Sequence, residues 1–189
     1  MIAEQQLWRY TLFREYTILY DMFQSSRSDD FIQASHDGFE VRNFSVLEDS
    51  AKILDINIAS YMRCASDNEF VYIELARDNY KDAMKHFSHT LLRDAYFLFV
   101  ESDVETCIER IHHRVTHAQT SRHFVPDHIL RGYYAQDNIE YMQTFFKEDY
   151  YISTNIKAIL NNGSLKNFEE EIQSFACAIL TRENNKVPE

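Results

Sequence analysis

Glycine is scarce in this chain. Only Gly38, Gly132 and Gly163 occur in 189 residues, and no two lie close together. A loop that cradles phosphate with successive backbone N–H groups needs closely spaced glycines, because only they let the backbone turn and approach the anion. Neither GxxxxGK[ST] nor GxGxxG can be written anywhere in the sequence. The chain's length suits one ordinary domain over residues 1–189.

Composition narrows the class. With 45% hydrophobic and 26% charged residues the chain reads as globular rather than disordered. No apolar run approaches the roughly 18 residues a membrane span needs, so no membrane is expected. The three cysteines, Cys64, Cys107 and Cys177, form no CxxC, which argues against a disulfide framework or a cysteine zinc site. The expected compartment is the cytoplasm. The net charge of −11 argues against general binding to nucleic acid or anionic lipid.

Three short runs have the composition of strands buried on both faces: Phe70 to Leu75, Ala95 to Val100 and Ile156 to Leu160. Their wide spacing excludes hairpins, so they are expected to be parallel and joined by helical crossovers. Ser45-x-x-Glu48 and Ser102-x-x-Glu105 read as capping boxes at helix starts. Val104, Cys107, Ile108 and Ile111 then form an apolar stripe at helical spacing. Gly163-Ser164 turns the chain out of the third strand, and a helix starts at Asn167 with Glu169 to Glu171 in its first turns. Thr181 to Glu189 reads as a polar tail. The first 24 residues read as one aromatic-rich helix, with the stripe Trp8, Leu12, Tyr16, Leu19 and Phe23 facing the core; a polar loop from Ser25 to Asp37 follows.

Two constellations invite chemistry. Arg110 to Arg131 carries four arginines against one acid, Asp127, and holds five of the eight histidines. Arg110 and Arg114 stand one helical turn apart, where like charges repel unless something compensates them. Such a basic island suits a polyphosphate, since guanidinium groups grip phosphoryl oxygens through forked, charge-assisted bonds. Alternatively, it is a solvated face whose arginines meet acids elsewhere in the fold. The second constellation is Glu74, the one charge inside the first strand run, followed by Arg77 and Asp78 where that strand ends. Ligands of open α/β sheets bind at the carboxyl ends of strands, where an acid can orient a hydroxyl or the water shell of Mg²⁺. The alternative is a strand-end carboxylate paired with Arg77. His113 and His117 share a helical face, yet no HExxH or cysteine pair completes a zinc site, so no metal ligands are assigned.

Taken in order, these segments resemble the C-terminal two-thirds of a P-loop kinase of the nucleoside and nucleotide kinase type. Val71 to Arg77 resembles the acid-bearing strand of that family. Tyr96 to Val100, then Glu101-Ser102-Asp103 and Cys107 to Arg114, resembles the strand and helix that lead into its arginine-bearing lid. Val115 to Asp127, with Arg122, stands where the lid would be, within about residues 110–131. Ile156 to Leu160 with Asn161 to Leu165 resembles the last strand and the adenine-contacting loop. The resemblance covers about residues 45–180 and implies a three-layer α/β fold, a parallel sheet flanked by helices. It also implies transfer of the ATP γ-phosphoryl group, with Mg²⁺, to a small-molecule acceptor such as a nucleoside or nucleotide. Arg110, Arg114 and Arg122 would neutralise the moving charge and Glu74 would orient acceptor or metal water. Arg77 and Asp78 would bind substrate, and Asn162, Gly163 and Ser164 would contact the cofactor's adenine. A homodimer is compatible with it.

The resemblance is N-terminally incomplete. The family's first strand, its Gly-rich loop with lysine and the helix after it have no counterpart here. In that fold the missing strand lies between the first two strand runs found in this chain, and its loss leaves core backbone groups without partners. The expectation is that the sequence begins at an internal Met. A strand supplied by a partner, or a sheet repaired in a non-catalytic relative, are the alternatives. As it stands the chain is expected to be an inactive kinase-like domain. The competing expectations are a non-catalytic nucleotide- or protein-binding scaffold of the same fold, and a mostly helical interaction module.

Overall fold

A computed structural model describes residues 8–26, 28–35, 38–66, 68–117, 124–136, 138–152 and 154–184. The chain enters through strand β1 (Arg9–Arg14) and helix α1 (Glu15–Ser25), then strands β2 (Phe31–Gln33) and β3 (Phe39–Val41) and helix α2 (Ser45–Met62). Strand β4 (Glu69–Glu74) is followed by the short helices α3 (Tyr80–Met84) and α4 (His89–Asp94), strand β5 (Phe97–Glu101) and helix α5 (Val104–His117). Helix α6 (Asp127–Gly132), a 3₁₀ turn (Tyr134–Gln136), helices α7 (Ile139–Thr144) and α8 (Phe146–Asp149), strand β6 (Ile156–Leu160) and helix α9 (Leu165–Asn184) complete the path.

β1 pairs in parallel with β4, from Arg9 opposite Glu69 to Arg14 opposite Glu74. β5 pairs in parallel with β6, from Phe97 opposite Ile156 to Glu101 opposite Leu160. β2 and β3 form a separate antiparallel ribbon. The chain is thus mixed α/β with short parallel sheets flanked by helices. The single parallel sheet expected from the sequence is divided: among the described residues β4 pairs only with β1, and β5 only with β6.

Both parallel pairs rest on one layer of helices. Leu54 and Ile58 of α2, Met142 of α7 and Phe146 of α8 are essentially fully buried. Phe13 of β1, Val71 and Ile73 of β4, Phe97 and Phe99 of β5, and Ile156 and Ala158 of β6 pack against the same cluster. Alternate residues of each strand share a face, so the opposite face of β1 and β4 carries Tyr10, Leu12 and Tyr72, all exposed. Helix α9 covers the corresponding face of β6, burying Ile159 and pairing Lys157 with Glu171.

The expected N-terminal helix is corrected. Residues 9–14 form a strand, and the helix begins only at Glu15. The spacing of Trp8, Leu12 and Tyr16 also permits a helix, but in Trp8–Arg14 it coincides with a period of two. Pairing with β4 decides the outcome, because it gives every ring of that face a neighbour. Trp8 stacks on Phe70 at 4.6 Å, and Tyr10 meets the edge of Tyr72 at 6.1 Å. Tyr16, Leu19 and Phe23 do face a core as expected, against the β2–β3 ribbon, where the Tyr16 and Phe39 rings lie 5.4 Å apart. That ribbon replaces part of the expected polar loop.

Helix starts also shift. Neither capping box forms: Asn43 Oδ1 accepts from the Ser45 N–H at 3.2 Å, and Asp103 Oδ1 from the Thr106 N–H at 2.8 Å. Ser102 instead donates to Asn162 Oδ1 at 2.8 Å. Ser164, rather than Asn167, caps α9, its Oγ accepting from the Asn167 N–H at 3.3 Å. That helix runs on to Asn184, through the start of the expected tail.

Candidate functional site

Because β1 and β4 run parallel and in register, their carboxyl ends reach the same level. Glu15 opens α1 directly after β1, and the loop after β4 carries Arg77 back toward it. The Arg77 guanidinium donates from both Nη1 and Nη2 to the Glu15 carboxylate. Nη2 also donates to the Leu47 carbonyl at 2.8 Å and Nη1 to the Ala76 carbonyl at 3.0 Å. The Ser50 hydroxyl, fully buried, lies 2.6 Å from Glu15 Oε1. The two charged side chains are only 7% and 4% exposed. Arg77 therefore ties β4, α1 and α2 together, and its fork is already occupied.

Above this pair opens a pocket of about 370 Å³. Phe44, Leu47 and Glu48 line it from the start of α2, and Arg77, Asp78 and Asn79 from the loop after β4. Asp82, Ala83 and His86 line it from α3 and the turn beyond, and Tyr133 from the end of α6. Phe44 and Tyr133 stack on each other at 5.1 Å with 16° between their planes, an aromatic pair at the pocket's edge. Burial, reinforced by a hydrogen bond to Asp78, holds the Tyr133 phenol well above its ordinary pKa. Burial also pushes its neighbour Tyr134 up to about 12, with the Arg77 charge opposing.

The Asp78 loop is fixed by short polar contacts. The Asn79 N–H donates to Asp78 Oδ1 at 2.7 Å, and Asn79 Oδ1 accepts from the Asp82 N–H at 3.1 Å, capping α3. Asn138 clamps the same turn, accepting from the Tyr80 N–H at 2.7 Å and donating to Asn79 Oδ1 at 2.8 Å. This rigid turn holds Asp78 on the pocket wall.

The structure brings together only part of the expected site. Arg77 and Asp78 line the pocket. Glu74 lies on the exposed face of the β1·β4 pair, where it accepts from Arg14 Nε at 2.9 Å. Arg110 and Arg114 project from the exposed face of α5 and make no ion pair among the described residues, while Arg122 lies outside the described residues. Arg131, from the same basic segment, is joined by both of its terminal nitrogens to the Glu105 carboxylate. Asn162, Gly163 and Ser164 form the loop at the carboxyl end of the β5·β6 pair. There Asn162 Oδ1 accepts from Ser102 Oγ and from the Asp103 N–H at 3.0 Å.

Sequence reasoning missed Glu15, Phe44, Glu48 and Tyr133 as lining or supporting residues. The signals were faint: an acid directly after an aromatic run, and the Tyr133-Tyr134 doublet ahead of Asn138. Among the described residues no cluster of three or more His, Cys, Asp and Glu side chains could hold a metal ion. None of the glycines described has a positive φ, so no glycine turn gathers N–H groups into a phosphate cradle there. No helix among the described residues is long and apolar enough to cross a membrane. No family model, curated protein or solved structure matches this chain.

Proposed function

We propose that this chain is a P-loop kinase-like phosphotransferase domain that holds the small phosphoryl acceptor but does not by itself transfer phosphate from ATP. The observation that carries the reading is the pocket at the carboxyl end of a parallel strand pair, built around the buried Glu15–Arg77 pair and walled by Asp78. Small molecules bind α/β folds at that end, outside the strand termini. On this reading Asp78, on the pocket wall, orients an acceptor hydroxyl. The Asn161–Ser164 loop occupies the same end of the second strand pair, which suits a second ligand beside the first. Arg110 and Arg114, exposed and without an ion pair among the described residues, are available to a polyphosphate. Among the described residues no glycine turn forms a phosphate cradle, which supports a domain that holds the acceptor without transferring phosphate.

A non-catalytic scaffold is the second reading, and the absence of a glycine cradle among the described residues favours it. Two measurements separate the readings. Backbone amide shifts would be followed while adenosine, adenosine monophosphate and glucose are added in turn. A response confined to Phe44, Asp78, Asn79 and Tyr133 supports an acceptor pocket, and no response there from any of them refutes it. Transfer from labelled ATP with Mg²⁺ would then be measured for this chain alone. Turnover that Arg114→Ala abolishes would refute the claim that this chain does not by itself transfer phosphate.

A further inference from the structure

The charges around the pocket do not match a phosphorylated ligand. Arg77 is the one guanidinium or ammonium group on its wall, with the His86 imidazole the other basic side chain, and both terminal nitrogens of Arg77 are taken up by Glu15. Asp82 accepts from Lys85 Nζ, so those two charges cancel. Glu48 and Asp78 remain as carboxylates with no ion-pair partner among the described residues. A phosphate dianion entering here would meet two like charges and no unoccupied guanidinium or ammonium group on the wall. The stacked pair of Phe44 and Tyr133 supplies aromatic surface for a flat ring, since Phe44 is still 48% exposed. The two carboxylates accept hydrogen bonds, which suits hydroxyl or amino donors. About 370 Å³ lies near the lower end of small-ligand sites and holds one ring system with a small polyhydroxyl group.

We propose that the pocket takes an unphosphorylated, hydroxyl-bearing heteroaromatic molecule, a free nucleoside rather than a nucleotide. The inference rests on the reading above that this pocket is the acceptor site. Selection comes from repulsion as much as attraction: Glu48 and Asp78 disfavour the phosphorylated analogue while serving the neutral one.

The test is calorimetric titration of the whole chain with adenosine, guanosine, cytidine and uridine and then with their 5′-monophosphates, at neutral pH and moderate salt. At least one nucleoside is expected to bind, with its monophosphate weaker by about tenfold or more, as like charges in a partly screened pocket dictate. The isosteric pair Glu48→Gln and Asp78→Asn together should bring the monophosphate to within about threefold of its nucleoside. Should that variant fail to fold, the wild type still decides, because raising the salt must narrow the same gap. A monophosphate that binds as tightly as its nucleoside overturns the charge argument and leaves the acceptor pocket standing. If no nucleoside or monophosphate binds and the pocket amides do not respond, both readings fall.

Discussion

Arg77→Met should be among the most destabilising single substitutions in this protein, and the reason is electrostatic. The change removes both donors to Glu15 and the bonds to the Leu47 and Ala76 carbonyls at 2.8 and 3.0 Å. Glu15, 4% exposed, keeps only the Ser50 hydroxyl at 2.6 Å. A charge stranded in that setting costs about 3–5 kcal/mol, against a total stability of roughly 5–15 kcal/mol for a domain. At about 2–4 °C per kcal/mol for a chain of this size, the melting temperature should fall by roughly 6–20 °C. Glu15→Met should cost a similar amount, since it leaves the guanidinium buried without its counter-ion. The double variant should lose much less than the sum of the two, because an apolar pair of similar volume leaves no stranded charge. Urea denaturation of the four proteins completes the cycle. Single losses below about 1 kcal/mol, or a double loss equal to the sum, would refute the claim that the pair fixes this end of the fold.

Two further expectations concern packing and pH. Phe146→Ala empties a fully buried site where the ring meets Phe97 at 5.0 Å and Tyr150 at 4.9 Å, and should cost about 3–5 kcal/mol in a urea melt. A loss under about 1 kcal/mol would mean those rings do not pack as described. At high pH, Tyr134 is held protonated by burial, and Tyr96 by burial and its hydrogen bond to Glu183, both up to about 12. A folded-state pKa raised above the unfolded value near 10 means the folded protein binds these protons more tightly. Their stabilisation is therefore complete below about pH 10 and is lost as pH rises toward about 12. An ultraviolet tyrosine titration alongside circular dichroism should show these two phenols, together with the raised Tyr133, Tyr141 and Tyr150, ionising late and with unfolding; full ionisation near pH 10 with the fold intact would contradict this.

What the sequence disclosed and what it hid follow one physical divide. Strands that are apolar on both faces announce themselves, so β4, β5 and β6 fall within two residues of the expected runs. The stripe on α5 was equally plain, since Ile108 and Ile111 are buried. β1 was hidden because its six residues alternate while also matching a helical spacing, and only a partner 60 residues away resolves the ambiguity. The caps were missed by one to three positions because the neighbouring side chains, Asn43, Asp103 and Ser164, are equally able to accept from an N–H. Arg77 and Asp78 were legible from the strand-end rule. Glu15, Phe44 and Tyr133 were not, because what gathers them is the parallel register of β1 with β4 and the return of α6 over α2.

The division of the parallel strands into two pairs also has a bearing on how the protein behaves in a tube. In a ladder flanked on both sides every amide is shielded. Here β4 and β5 each have a strand on one side only among the described residues, and Tyr10 and Tyr72 leave the neighbouring surface sticky. Such an edge is a template for any extended peptide that drifts past. Handling at high concentration should favour slow self-association through backbone ladders, and a charged residue set into that edge should be the most economical way to keep the protein monodisperse.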